Sequence, residues 1–133
     1  MQEIIQFLKE NMSGFLATVD NGKPRVRPFQ FMMEKDGKLY FCTNNTKDVF
    51  KQMQANPSVE FCSLSPKFQW IRVSGNIHFS DDLALKSEVL QSDDMVKSIY
   101  QTPDNPIFEI FYLEHGRATI ADFSGRPPKQ VDF

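Results

Sequence analysis

Cysteine is scarce: the 133 residues include only 2, Cys42 and Cys62. Their separation leaves no Cys-x-x-Cys pair, which excludes a zinc knuckle and a thioredoxin-type redox motif. Two isolated thiols fit a reducing, cytoplasmic setting, with a single disulfide as the alternative. Histidine is equally rare, and His78 and His115 lack the paired spacing of metal ligands, so each reads as a solvated or hydrogen-bonded structural residue and no metal is expected. No Gly-x-Gly occurs, which removes both the dinucleotide fingerprint and the P-loop. No serine stands in a nucleophile-elbow setting. A surplus of positive charge is missing too: 15 basic against 17 acidic side chains give a net charge of -2, a poor match for a nucleic-acid binder. No apolar run approaches the roughly 18 residues of a membrane span, and the charged start MQEIIQFLKENM does not read as a signal peptide. An enzyme built from this chain is expected to take its reactivity from a cofactor.

What remains is an apolar content of 41%, with 13 Phe against 3 Tyr and 1 Trp, enough for one bulky core and a single domain over residues 1–133. Residues 2 to 11 read as an amphipathic helix ended near Ser13-Gly14. Phe15 to Val19 and Pro24 to Met33 read as a hairpin turned at Asp20-Asn21-Gly22. A second turn at Glu34 to Gly37 leads to Leu39–Cys42. A helix carrying Val49, Phe50 and Met53 follows, stopped by Asn56-Pro57. Val59 to Leu64 and Phe68 to Phe79 form the next hairpin. Ile71, Val73, Ile77 and Phe79 alternate with Trp70, Arg72, Ser74, Asn76 and His78 along its longer strand. Ser80-Asp81-Asp82 and Ser92-Asp93-Asp94 read as helix starts. Ile107–Leu113 and Ala118–Phe123 complete the pattern as a last hairpin turned at His115-Gly116, and the proline-rich tail SGRPPKQVDF crosses a surface. The expected class is α+β, a small antiparallel β-barrel of about six to seven strands with flanking helices, which the resemblance described below makes a split barrel.

Two constellations carry potential chemistry. In Pro24-Arg25-Val26-Arg27-Pro28-Phe29, strand alternation puts Arg25 and Arg27 on one face, continued by Phe29, Phe31 and Met33. That pattern describes either a groove with a cationic and an aromatic end, suited to a flat anionic ligand, or two arginines snorkelling from a barrel rim. Cys42-Thr43-Asn44-Asn45-Thr46-Lys47 runs from a strand into a helix start. It reads as an anion pocket or as a plain cap by Asn45 or Thr46. The two segments flank one short hairpin connection, so they are expected to lie close together. A few charge-assisted hydrogen bonds to phosphate provide only several kcal/mol in all, at roughly 1.5–3 kcal/mol each. A phosphate attached to a buried ring is therefore favoured over a free one.

The order of these segments, with Leu-Tyr-Phe-Cys-Thr-Asn-Asn-Thr-Lys entering a helix, Gln-Ala-Asn-Pro-Ser-Val-Glu-Phe-Cys after it and Trp-Ile-Arg-Val-Ser-Gly beyond, resembles the pyridoxamine 5′-phosphate oxidase-like FMN-binding split-barrel superfamily. Within it, the chain is most similar to the short bacterial members grouped with the nitroimidazole-resistance flavoproteins. The resemblance implies a homodimer with FMN at each of two equivalent subunit interfaces. Arg25, Val26, Arg27 and Pro28 would then follow the flavin and ribityl chain. Cys42 and Thr43 would lie at the ring edge, and Asn44, Thr46 and Lys47 around the phosphate. Gln69 and Trp70 would arrive from the second subunit, with the polar face ending in His78 near the seam. The implied activity is an FMN-dependent oxidoreductase, with hydride or electron transfer through flavin N5 to an unidentified small molecule and NADH or NADPH as candidate donor. The alternatives are a flavin-binding electron carrier without turnover of its own, or a related barrel holding heme or a deazaflavin. Gln30 stands near the point where the larger oxidases place a lysine, and the tail lacks their pyridoxal-phosphate-holding arginine and histidine, so pyridoxamine phosphate is not the expected substrate. No residue is nominated as catalytic.

Overall fold

The computed structural model describes residues 1–133. Four helices and eight strands run α1 (Gln2–Glu10), β1 (Ser13–Asp20), β2 (Lys23–Gln30), β3 (Met33–Lys35), β4 (Lys38–Asn44), α2 (Asp48–Ala55), β5 (Ser58–Leu64), β6 (Trp70–Ser80), α3 (Leu83–Gln91), α4 (Asp94–Tyr100), β7 (Phe108–Ala121) and β8 (Lys129–Asp132). The strands form one antiparallel sheet in the order β2-β1-β5-β6-β7-β4-β3, with β8 added to β7. The sheet curls but does not close, since β2 at one end and β4 with β3 at the other leave a split between them. This is the α+β split barrel expected from the sequence, with eight strands instead of six or seven.

Local chemistry accounts for the turns and caps. Asn21 and Gly22, like Asp36 and Gly37, adopt the left-handed backbone that a two-residue hairpin needs. The Asp82 carboxylate accepts from the Ala84 and Leu85 N–H groups, and Asp93 accepts from Val96, so both acidic starts are true N-caps. The inward faces of the strands supply Leu16, Phe41, Phe61, Ile71, Val73 and Phe111, all at most 1% exposed. Helix α1 lays Ile4, Phe7 and Leu8 onto the same core. A smaller cluster of Tyr40, Val89, Leu90, Tyr100, Phe108 and Ile110 fills the space under α3 and α4.

Four readings of the sequence are corrected. The run from Pro24 to Met33 is not one strand: β2 ends at Gln30, after which the Phe31 N–H donates to the Met12 carbonyl and the Met32 N–H to the Tyr40 carbonyl. The chain thus changes sides of the split within two residues. Phe31 drops into the main core and Met32 into the smaller one. Ser13-Gly14 opens β1, and α1 already ends at Asn11. The tail is paired through β8, with Val131 opposite Ala118.

The fourth correction concerns His115-Gly116, which is no turn. β7 continues through it as one strand of 14 residues. Between the pairs Gly75↔Gly116 and Ile77↔Leu113 it advances one residue more than β6. That bulge reverses its alternation, so that Phe111 and Leu113 face inward before it, and Ala118 and Ile120 after it. The strands meet there as two glycines, because a Cβ on Gly75 would stand 2.6 Å from the His115 carbonyl oxygen and one on Gly116 would collide with the Ser74 carbonyl. Gly116→Ala is expected to lose about 1–3 kcal/mol of stability, measured as a lowered urea midpoint with unchanged m-value.

Candidate functional site

The largest concavity is an open cleft of about 1150 Å³ between β2, the β1–β2 turn and helix α2. Arg25, Val26, Arg27 and Pro28 line it from the strand, and Lys47, Lys51 and Gln52 from the helix. Strand alternation presents the arginines to this side. Spacing by one helical turn brings Lys47 and Lys51 to the same face of α2. Asp20 and Asp48 are the acids on the wall, so four cations face two carboxylates.

Arg27 is the organised member. Its Nη1 donates to the Leu16 carbonyl at 3.1 Å and to Thr18 Oγ1 at 2.9 Å, and its Nη2 donates to Gln52 Oε1 at 2.7 Å. Thr18 Oγ1 also donates to Gln52 Oε1, at 2.6 Å. These contacts fix the guanidinium beneath α2 and leave part of its donor fork free for a ligand. Burial lowers the Arg27 pKa and the Asp48 carboxylate partly offsets this. A guanidinium stays cationic regardless. Arg25 is held loosely, 3.3 Å from Asp20 at an exposed position, a pairing that contributes little.

The aromatic end of the expected groove does not exist as open surface. Phe29 is turned into the core, with its ring centroid 6.2 Å from that of Phe41 and 5.7 Å from that of Phe111, and Phe31 is fully buried. Phe29 shares the arginines' face of β2, but that face lies over the core at this end of the strand, and Phe31 lies beyond the strand's end at Gln30. The sequence pattern does not single out Lys51 and Gln52, because the apolar positions Val49, Phe50 and Met53 are what mark α2. Their spacing from Lys47 and Asp48 was the available signal.

The second constellation divides among several environments. Cys42 packs toward α3 and α4, whereas Thr43, on the other face of β4, points inward at 3% exposure. Thr43 Oγ1 has no partner in the chain. Asn44 Oδ1 accepts from the Thr46 N–H at 2.8 Å and from Thr46 Oγ1 at 2.7 Å. Asn45 Nδ2 donates to the Pro106 carbonyl and to Glu109. Neither residue caps α2; the N-cap position falls to Lys47, without a side-chain bond. Gln69 and Trp70 lie at the opposite end of the sheet and do not reach the cleft of their own chain, whose wall contains neither. His78 is exposed, with its ring 5.5 Å from that of Tyr112, and His115 stands at the bulge.

Burial, with a smaller contribution from Asp93, pushes the Cys42 thiol up to about 12 from 9.0. The unfolded chain therefore loses this proton first as pH rises. The stabilising effect of the neutral thiol is complete below the ordinary thiol value and disappears as pH climbs from 9.0 toward 12. Cys42→Ala is expected to flatten the stability-versus-pH curve over that window. Native Cys42 should also resist alkylation at mildly alkaline pH and react once the chain is unfolded.

The fold is a split barrel, and the chain belongs to the pyridoxamine 5′-phosphate oxidase family, whose model matches residues 1–119. Among solved structures it is similar to a NimC/NimA family protein from Clostridium acetobutylicum. The two share 38% identity and a TM-score of 0.92, over 100% of this chain and 92% of that one. A pyridoxamine 5′-phosphate oxidase-related, FMN-binding protein from Nostoc punctiforme has the same fold at 22% identity and a TM-score of 0.72, covering 97% of this chain and 86% of that one. A heme-binding protein from Mycobacterium smegmatis shares the fold at 15% identity and a TM-score of 0.81, over 98% of this chain and 56% of that one. No curated protein matches the chain.

Proposed function

We propose that the chain binds FMN with its phosphate in the β2–α2 cleft, that a second copy completes the site, and that the loaded protein is an oxidoreductase acting on a small molecule. The convergence of Arg25, Arg27, Lys47 and Lys51 on one cleft carries this reading. Such a group of cations suits a dianion, and Arg27 is already oriented by Thr18, Gln52 and the Leu16 carbonyl. The buried, unpartnered Thr43 hydroxyl on β4, the strand next to the sheet's edge strand β3, adds a polar group toward the split. At about 1150 Å³ the cleft exceeds the ~300–1,000 Å³ usual for a closed small-molecule site. It is therefore expected to be closed by a further surface, and the exposed outer face of the sheet offers one in a homodimer, from which Gln69 and Trp70 of the second copy would approach. Free Cys42 and Cys62 fit a cytoplasmic location.

Bound FMN would supply hydride transfer through N5. The chain's own part is position: Arg27 and Lys47 hold the anionic tail, and Gln52 keeps the guanidinium aimed. No histidine, cysteine or tyrosine lines the cleft. Heme is thus disfavoured for want of an axial ligand there. The same observation supports a second reading, a flavin-binding electron carrier, because the cleft wall holds no imidazole, thiol or phenol to act as general acid or base. Mixing the flavin-loaded protein with NADH or NADPH in a stopped-flow spectrometer separates the two. Rapid bleaching of the flavin bands supports an oxidoreductase, and failure with both donors supports the carrier.

A further inference from the structure

The four cations of the cleft do not meet at one point. Arg27 lies under α2, bonded to Gln52, and Lys47 stands at the start of that helix. Arg25 is two residues nearer the β1–β2 turn, about 7 Å along the strand. Lys51 is four residues further into α2, about 6 Å along its axis. Both steps lead the same way. Glu60 pairs with Ala17, so β5 begins beside the last residues of β1, and α2, which leads into β5, runs toward the β1–β2 turn. Ala55 and Asn56 accordingly share the cleft wall with Asp20 and Asn21. The cations thus form an inner pair, Arg27 with Lys47, and an outer pair, Arg25 with Lys51.

The outer pair has donors to spare. Arg25 is half exposed and bonds only through Nε, to Asp20 at 3.3 Å. Both of its terminal nitrogens are left over. An exposed contact of this kind is weak, so a ligand oxygen displaces it at little cost. Lys51 is exposed on the same wall and has no bonded partner. Beyond the pair the cleft ends at Asn21, Gly22 and Asn56. A Cβ on Gly22 would meet nothing within 4 Å, so this end is open to a longer ligand.

Charge sorts the ligands. Four cations against two carboxylates leave a surplus of two positive charges, spread over both pairs. A phosphate monoester brings about −1.5 to −2 on a single phosphorus. It answers the inner pair and leaves the outer pair facing water. A diphosphate diester also carries about two negative charges, but one on each phosphorus, which is how the cleft distributes its cations.

Resting on the flavin-site reading above, we propose that Arg25 and Lys51 form a second anion position, so that the cleft accepts a flavin diphosphate as well as FMN. The inner phosphate lies on Arg27 and Lys47 and the outer one on Arg25 and Lys51. The attached nucleoside extends toward Asn21 and Asn56. FAD is the ligand with that chemistry.

Calorimetric titration of the flavin-free protein with riboflavin, FMN and FAD tests this without any turnover. FAD should bind within about 10-fold of FMN. Lys51→Ala should weaken FAD by roughly 3- to 10-fold, a moderate loss because the contact is open to water, and leave FMN and riboflavin within about 2-fold. Arg25→Ala should again cost FAD more than FMN. Lys47→Ala, by contrast, should weaken both phosphorylated flavins. Lys51 is an exposed helix position, so its variant should melt no lower than the unmutated protein. FAD bound more than about 100-fold more weakly than FMN, or a Lys51→Ala variant whose FAD affinity is unchanged or falls no more than its FMN affinity, overturns the second position while the flavin site stands. An unmutated protein that binds none of the three flavins overturns both readings together.

Discussion

Lys47→Ala weakens FMN binding about 10- to 100-fold and leaves riboflavin within about 2-fold, because a charge-assisted hydrogen bond contributes roughly 1.5–3 kcal/mol and each 1.4 kcal/mol is tenfold. Lys47 is exposed at the mouth of the cleft and has no ion-pair partner there. Its removal is therefore expected to cost the fold almost nothing. Arg27→Ala produces the same split between the two ligands, with an added loss of stability, since Thr18 and Gln52 are left with only each other. Arg27→Lys should rescue little, because one ammonium group cannot hold both the Gln52 side and the ligand side of the fork. Fluorescence titration of both flavins against each variant checks the expectation. Equal losses for FMN and riboflavin would place the anion site elsewhere.

Phe41→Ala is expected to lose about 3–5 kcal/mol, a large share of the ~5–15 kcal/mol available to a domain. Phe41 is 1% exposed, and its ring is surrounded by those of Phe29, Phe31, Phe61 and Phe111 at centroid distances of 6.2, 5.9, 5.2 and 5.5 Å. Phe29 sits on β2 two residues from Arg27, so this cluster also anchors the strand that carries the cleft. Because packing rather than charge is lost, the variant should show a lowered urea midpoint at every salt concentration. Phe41→Leu, which fills more of the space, should recover a substantial part of the loss.

Some parts of this protein are legible in the chain because their causes are local. Asp82 and Asp93 bond to N–H groups two or three residues away, and Asn21-Gly22 forms its turn from its own backbone preferences. The face of β6 could be read from alternation, as Ile71, Val73 and Ile77 are buried while Arg72, Asn76 and His78 are exposed. What escaped depends on partners distant in sequence. His115-Gly116 resembles a turn until Gly75 is placed opposite it, and only then does the bulge explain why the alternation of β7 reverses. Phe29 and Phe31 continue the pattern of the arginines, yet at this end of β2 that face lies on the core and takes both rings, and the chain changes partners to Tyr40 of β4 only after Phe31. The cationic half of the site was readable for the same reason as the caps, since Arg25 and Arg27 share a strand face by simple alternation. Lys51 and Gln52 needed a second helical turn to be counted, and the role of Gln52 in holding Arg27 needed the two elements in contact.

The visible spectrum of freshly purified protein, followed by a melt with added FMN, tests the flavin site most directly. A protein that carries FMN in this cleft is yellow, with flavin absorption bands. If the purified protein is instead depleted of ligand, FMN at about 100 times its dissociation constant should add roughly 2.7 kcal/mol to stability. A colourless protein whose melting point does not move with FMN would contradict a flavin site in this cleft.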